Sequence, residues 1–314
     1  MSQLEYDGHI CERLPEESVL DALLRSGIDV PHSCRAGSCG SCLMRAVNRE
    51  TLPSVAQAGL KDTWKASGYF LACQCRPDAD FAAMPVGADV RIPATIASLD
   101  RLSDSVLRVR LATATAFEYR PGQYMTLLRD DGLARSYSLA SLPREQSLEL
   151  HVRVIEGGRM SQWLARDANI GMTMSLQGPS GDCFYLPGRE DQPLLLAGTG
   201  TGLAPLYGIA RDALAAGHRG PIHLVHGVPS RPGLYLRPEL LALADAHANF
   251  TYTASVLDED GPMDKTVLAI HPALAGWRAY VCGDPAIVQR FRKTLFLAGA
   301  ALNDIHADAF VPSA

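Results

Sequence analysis

The cysteines are the feature that most constrains this chain. Ser33-Cys34-Arg-Ala-Gly-Ser-Cys39-Gly-Ser-Cys42 places three thiols in a loop of small residues. After thirty intervening residues comes Leu71-Ala-Cys73-Gln-Cys75. Gaps of four and then two residues, with a distant fourth cysteine, form the layout of a [2Fe–2S] site held by four thiolates. Two bridged irons need thiolates at both ends. A tight loop supplies three, and a remote segment closes the cage. Gly37, Ser38, Gly40 and Ser41 leave room for backbone N–H groups to approach the sulfurs. A structural zinc site usually joins two short cysteine hairpins, and only one is present. On spacing alone, either Cys73 or Cys75 can be the fourth ligand.

The remaining composition narrows the setting. A chain of 314 residues suggests two or three domains. The net charge of −5 argues against a nucleic-acid partner, which usually needs a basic face. Residues 1–20 carry Glu5, Asp7, Glu12, Glu16 and Glu17, with no apolar run of the kind a secretory leader has. The most apolar stretch, Pro193 to Ala210, is too rich in glycine and threonine for a membrane span. The expectation is a cytoplasmic protein without membrane attachment. In that setting eight cysteines point to metal rather than disulfides.

Three blocks follow one another. Residues 1–88 hold six of the eight cysteines. A linker is expected near Pro85 to Pro93, around Gly87. Residues 89–190 alternate apolar and polar, as in Ser105-Val-Leu-Arg-Val-Arg-Leu111 and Leu148-Glu-Leu-His-Val-Arg-Val-Ile155, which predicts half-buried antiparallel strands. Pro121-Gly122 and Asp131-Gly132 mark turns between them. In residues 191–314 short apolar runs alternate with helical patterns. Pro193 to Ala197, Pro221 to Gly227 and Ala279 to Cys282 read as buried strands, predicting an α/β domain with a parallel sheet.

Arg135-Ser-Tyr137-Ser138 resembles the flavin motif of the ferredoxin–NADP reductase family. The resemblance implies that Arg135 pairs with the FAD pyrophosphate, that Tyr137 packs on the flavin, and that Ser138 lies near the flavin N5. Gly157-Gly158-Arg-Met160-Ser161 resembles the family's second phosphate element, where a helix start offers N–H donors. His151 and Arg153 fall on the strand that runs along the flavin in that family. The relatives end their chains with an aromatic over the flavin, and Phe310 matches it. This favours FAD over FMN. Among the ferredoxins that the first block resembles, the fourth ligand follows a small residue like Ala72, which favours Cys73. Cys11, Cys75 and Cys183 are then small buried hydrophobes.

Gly198-Thr199-Gly200-Thr201-Gly202 follows an apolar strand and opens a helix. Such a loop suits a dinucleotide pyrophosphate. Its spacing differs from Gly-x-Gly-x-x-Gly and is similar to the reductase family's own version. Cys282-Gly283-Asp284-Pro285 resembles a second family motif, which implies that Cys282 lies beside the nicotinamide C4. Ser138 and Cys282 are thus the expected catalytic pair. Many NAD sites carry an acid after the second strand. Here Gly227-Val-Pro-Ser230-Arg231 stands instead, and Arg231 suits a 2′-phosphate. The expected coenzyme is NADH, with NADPH as an alternative.

Across nearly its whole length the chain resembles the reductase components of bacterial ring-hydroxylating dioxygenases. Gly276-Trp-Arg-Ala-Tyr-Val-Cys-Gly283 and Ile305-His-Ala-Asp-Ala-Phe310 carry the closer match. The resemblance implies a multidomain α+β and α/β fold. It would comprise a β-grasp ferredoxin domain, an antiparallel β-barrel FAD domain and a parallel α/β nicotinamide domain. It also implies an NAD(P)H:acceptor oxidoreductase that passes electrons through FAD and the cluster to a Rieske-type ferredoxin or a terminal oxygenase. Other readings are a reductase for a di-iron monooxygenase or a deoxysugar dehydratase system, a cofactor-binding redox sensor, or a zinc-bearing binding protein. Asp258-Glu-Asp-Gly261 matches nothing specific to the family.

Overall fold

The computed structural model describes residues 2–60, 64–65, 67–86 and 91–311. They form three separate sheets. The first contains β1 (Ser2–Tyr6), β2 (His9–Arg13), β3 (Leu43–Ala46), β4 (Tyr69–Leu71) and β5 (Phe81–Met84), in the order β2-β1-β5-β3-β4. β1 and β5 run parallel, and the other neighbours run antiparallel. The sheet grips α1 (Val19–Arg25), giving the expected β-grasp. The Ser18 hydroxyl caps α1 by accepting the Asp21 N–H at 3.1 Å. Val19, Leu20 and Leu23 on its inner face pack with Leu4, Phe70 and Phe81.

The second sheet contains β6 (Arg91–Arg101), β7 (Val106–Thr113), β8 (Tyr124–Leu128), β9 (Ala134–Ser138), β10 (Leu148–Arg153) and β11 (Thr173–Ser180). Its order is β10-β7-β6-β11-β8-β9, antiparallel throughout. A bridge between Leu139 and Leu150 joins the two edges and closes the sheet toward a barrel. Val109, Leu111, Leu127, Leu150 and Leu176 fill it, with Met160 and Leu164 of α2 (Arg159–Arg166).

The third sheet is parallel: β12 (Leu194–Thr199), β13 (Ile222–Val228), β14 (Phe250–Val256), β15 (Arg278–Gly283) and β16 (Ile305–Ala309), ordered β14-β13-β12-β15-β16. The helices are α3 (Leu203–Ala215), α4 (Arg237–Ala246), α5 (Leu257–Asp260), α6 (Met263–Ile270) and α7 (Pro285–Leu297). β13 and β15 are buried along their whole length, as strands covered on both faces must be. One core gathers Leu196, Leu206 and Leu224, and the other Val225, Val281 and Phe291. Among the described residues no helix is long and apolar enough to cross a membrane. The expected boundary at 88/89 and the centre of the linker, including Gly87, lie outside the described residues. Ahead of the expected boundary at 190/191, Cys183 and Tyr185 already belong to the core of the third domain.

Backbone approach, not side-chain filling, locks the turn after β12 (Gly200–Gly202) against β15. A Cβ on Gly202 would stand 2.2 Å from the Cys282 carbonyl oxygen. That atom belongs to a sheet strand and cannot retreat. Gly202→Ala is expected to cost ~2–4 kcal/mol, in the range of overpacked cores. Calorimetry should find the unfolding midpoint lower by about 5–10 °C; a shift under about 1 °C would mean the approach is not rigid.

Candidate active site

The strand register explains how a distant cysteine reaches the cluster loop. Leu43, which follows Cys42, pairs with Leu71, and Ala72 donates its N–H to the Cys42 carbonyl at 3.0 Å. Cys73 therefore arrives beside Cys42, close enough that its thiol, together with burial, pushes the Cys42 thiol well up. Cys34 and Cys39 form the other pair, each accepting the other's backbone N–H at 3.4 Å. Ala36 N–H also points at the Cys34 sulfur, at 3.4 Å. The Cys39 thiol and these N–H groups draw the Cys34 thiol down to about 5, against its burial. Among the described residues no three His, Cys, Asp or Glu side chains gather as one metal ion would need. Two thiol pairs instead suit two irons, so the donor set fits a [2Fe–2S] cluster. Cys75 is fully buried in the first core, and burial pushes its thiol up to about 12. All eight cysteines are free.

A row of polar side chains seats this loop on the barrel. Gln177, Thr126 and Ser136 are register partners across β11, β8 and β9, and so share one face. Thr126 donates its hydroxyl to the Cys39 carbonyl at 2.8 Å. Ser136 lies 2.9 Å from the Thr126 hydroxyl and 3.3 Å from the same carbonyl. Gln177 donates its amide to the Gly40 carbonyl at 2.6 Å. Thr126 and Gln177 are buried.

One cavity of about 930 Å³ begins at Cys34 and Cys39 and runs past β9 to the ends of β12 and β15. Arg135, Tyr137, Ser138, His151, Arg153, Gly157, Gly158, Met160 and Ser161 all line it. Arg135, Arg153 and Arg159 line it without an ion-pair partner among the described residues. Beside them α2 starts at Gly158 with no side chain capping its N–H groups. A Cβ on Gly158 would stand 2.5 Å from both Ile155 and the Ser161 hydroxyl. Guanidinium groups without a carboxylate partner, beside a bare helix start, fit a pyrophosphate; of these Arg135 also donates to the Ala134 carbonyl at 2.6 Å. His151 is buried and held on both sides, by Glu149 at 2.9 Å and the Tyr235 hydroxyl at 3.3 Å. Burial keeps its pKa below the usual range despite Glu149.

Beyond this region Thr199, Gly200, Thr201, Gly283, Asp284, Pro285 and Phe310 line the same cavity. Gly283 takes φ +126°, and a Cβ there would meet the Thr199 hydroxyl at 2.3 Å. The two glycine-bearing turns thus interlock, with the Asp284 N–H donating to the Thr199 hydroxyl at 3.1 Å. His226, fully buried, bonds the Gly200 carbonyl at 3.0 Å, and burial lowers its pKa to about 4. Phe310 is half-buried on the cavity wall rather than plugging a core. Gly198 and Gly202 sit behind the loop, while Ser230 and Arg231 lie beyond the lining. Asp284 uses its carboxylate to cap α7, accepting from Ala286 and Ile287 at 2.9 and 3.1 Å. Cys282 departs from expectation: it is sealed one residue behind the wall, its sulfur 3.5 Å from that of Cys183.

Three family models cover the chain in sequence. Residues 4–78 match a 2Fe-2S iron-sulfur cluster binding domain, 93–185 an oxidoreductase FAD-binding domain and 196–293 an oxidoreductase NAD-binding domain. The chain is 33% identical to the ferredoxin–NAD(P)(+) reductase component of the naphthalene 1,2-dioxygenase/salicylate 5-hydroxylase systems of a Ralstonia species, over 94% of each chain. It is 34% identical to the naphthalene 1,2-dioxygenase system reductase of Pseudomonas putida, again over 94% of each. The chain belongs to the family of dioxygenase reductase components. The crystal structure of the Amycolatopsis cytochrome P450 reductase GcoB superposes over 100% of both chains, with a TM-score of 0.72 and 31% identity. The protein is an NAD(P)H:acceptor oxidoreductase that uses a [2Fe–2S] cluster, FAD and NAD(H).

The reductase also has site residues that its sequence hid. The Gln177–Thr126–Ser136 row is one set. Tyr235, which braces His151, is another. Asp308 is the third: it shares a strand face with Phe310, two residues on, and its carboxylate lies 3.4 Å from the Ser138 hydroxyl. Burial pushes its pKa up to about 6, against the Ser138 hydrogen bond.

Two predictions follow from this geometry. Thr126→Val with Gln177→Ala removes two buried hydrogen bonds worth about 1 kcal/mol each. Hydrogen exchange in residues 34–42 should then quicken by roughly tenfold or more, leaving β12–β16 unchanged; equal exchange in both proteins would show that the row does not hold the loop. Asp308 is easier to protonate folded than unfolded, so its contribution to stability is full below about pH 4 and is lost as pH rises through about 6. Asp308→Asn should therefore gain on the wild type between pH 4 and 7, by up to ~2–3 kcal/mol. Thermal midpoints across that range check the sign, and a constant difference would contradict it.

Proposed function

We propose that this reductase draws hydride from NADH at the Phe310 end of the cavity and delivers single electrons through the thiol-held end. The acceptor is a Rieske-type ferredoxin or the terminal oxygenase of an aromatic-ring-hydroxylating system. The observation that carries the reading is the single cavity joining Cys34 and Cys39, the Arg135–Ser138 strand and the Thr199–Thr201 turn. When bound, FAD converts a two-electron donor into single electrons for the [2Fe–2S] cluster. Cys34, Cys39, Cys42 and Cys73 would hold the cluster. Arg135, Arg153 and Arg159, with the first N–H groups of α2, would neutralise the FAD pyrophosphate. Ser138 with Asp308, and His151 with Tyr235, orient the flavin side of the cavity. Gly283, Asp284 and Phe310 shape the nicotinamide side. Relatives named for naphthalene 1,2-dioxygenase systems support the acceptor class.

Cys39→Ser tests the electron path. Reduction of a cytochrome c-type acceptor should fall at least about a hundredfold, while ferricyanide, which takes electrons from the flavin directly, should still be reduced at near wild-type rate. Equal loss of both would sink the proposed order. Anaerobic NADH should bleach both the flavin and the iron–sulfur absorption of the wild-type protein.

A further inference from the structure

Sequence reasoning finds no acid after β13, where a carboxylate would select an unphosphorylated ribose. The folded chain brings one there from the neighbouring strand. β13 and β14 run parallel in register as far as Val228 opposite Val256, so the segments leaving them start side by side. The Asp258 N–H donates to the Pro229 carbonyl at 3.2 Å and ties the two segments together. α5 then sets Glu259 against Arg231. Both carboxylate oxygens are engaged, with Nε to Oε1 at 2.6 Å and Nη2 to Oε2 at 2.5 Å. Pro229, Leu257 and Gly261, each two residues from the pair, line the cavity. The ion pair thus stands on the cavity rim, at the strand ends where the ribose of a dinucleotide lies in open α/β sheets.

We propose that Glu259 selects the coenzyme, occupying Arg231 so that the reductase favours NADH over NADPH. The inference rests on the coenzyme reading above. A 2′-phosphate would seek the same two-donor edge of the guanidinium that Glu259 already fills. It would also meet the carboxylate's negative charge. A ribose with a free 2′-hydroxyl meets neither obstacle. The acidic run Asp258 to Asp260, which matches no family pattern, thereby acquires a role. Glu259 acts through Arg231 and is a positioning residue.

Calorimetric titration of the holoenzyme with 2′,5′-ADP and with ADP tests this without turnover. Glu259→Gln should tighten 2′,5′-ADP by about fivefold relative to ADP, the factor a surface ion pair is worth. Adding Arg231→Leu should erase the gain. The ratio of kcat/KM for NADPH to that for NADH should rise by the same factor in Glu259→Gln. The proposal is overturned if the 2′,5′-ADP to ADP ratio does not move, or if the gain survives loss of Arg231. If wild-type flavin is not bleached by NADH at all, the coenzyme reading itself fails, whatever the titrations give.

Discussion

Two backbone carbonyls, those of Cys39 and Gly40, decide how the cluster domain sits on the rest of the chain. A buried carbonyl without a donor costs on the order of 1–3 kcal/mol. Apolar contact alone would let the cluster loop slide, because it has no direction. Thr126, Ser136 and Gln177 supply direction. They come from three adjacent strands at one register level, so their spacing is that of the sheet itself. The Gly40 carbonyl also accepts the Leu43 N–H at 3.1 Å, so it is the Cys39 carbonyl that depends on this seat. Ser136 stands between Arg135 and Tyr137 in the same strand, so β9 grips the cluster loop and presents flavin-site side chains to the cavity. On the proposed assignment of Arg135 and Tyr137 to the flavin, one extended segment rather than a flexible joint would set the distance between the two redox sites.

The junction with the nicotinamide domain is built differently. There aromatic and imidazole rings meet, beside the Arg211–Glu145 ion pair and the Ser138–Asp308 hydrogen bond. His151 on β10 and His226 on β13 both pack edge-on against Tyr235, each at 5.3 Å. Both histidines are driven toward the neutral form by burial. Neutral rings can each donate one proton and accept another; His151 uses both capacities, on Glu149 and Tyr235, while His226 donates from Nε2 to the Gly200 carbonyl and its buried Nδ1 has no partner among the described residues. The glycine turn that would face the pyrophosphate is thus braced from behind by a residue linked to the flavin side.

Local motifs made much of this legible. The first three cysteines, the alternating strands and the glycine-rich turn are each contained within a dozen residues, and Cys34, Cys39, Tyr137 and Thr199 line one cavity. What stayed hidden depends on register between distant segments. Thr126 and Gln177 meet only because β8 and β11 pair, which no local pattern declares. Glu259 reaches Arg231 because β13 and β14 end level. Cys282 shows the opposite failure. Its motif is local and recognisable, yet its side chain packs against Cys183, which lies 99 residues away. Asp308 carried a weak signal in its two-residue offset from Phe310, but its burial could not be read from its neighbours.

The cavity's charge follows from the same placement. The chain as a whole carries −5, yet the cavity presents Arg135, Arg153 and Arg159 without carboxylate partners among the described residues. Of its three acids, Asp308 is pushed up to about 6 by burial, Asp284 is engaged by a helix start, and Glu156 stands exposed beside Gly157. Guanidinium groups without carboxylate partners inside a cleft with apolar walls focus a positive field where salt screens it least. FAD and nicotinamide coenzymes both carry a pyrophosphate, so that field attracts both, and it cannot tell one dinucleotide from the other. Discrimination has to come from shape: the Gly158 cradle beside α2 and the Gly283–Thr199 interlock. A common attraction at the centre with separate selection at the ends lets one cavity take two related ligands without exchanging them.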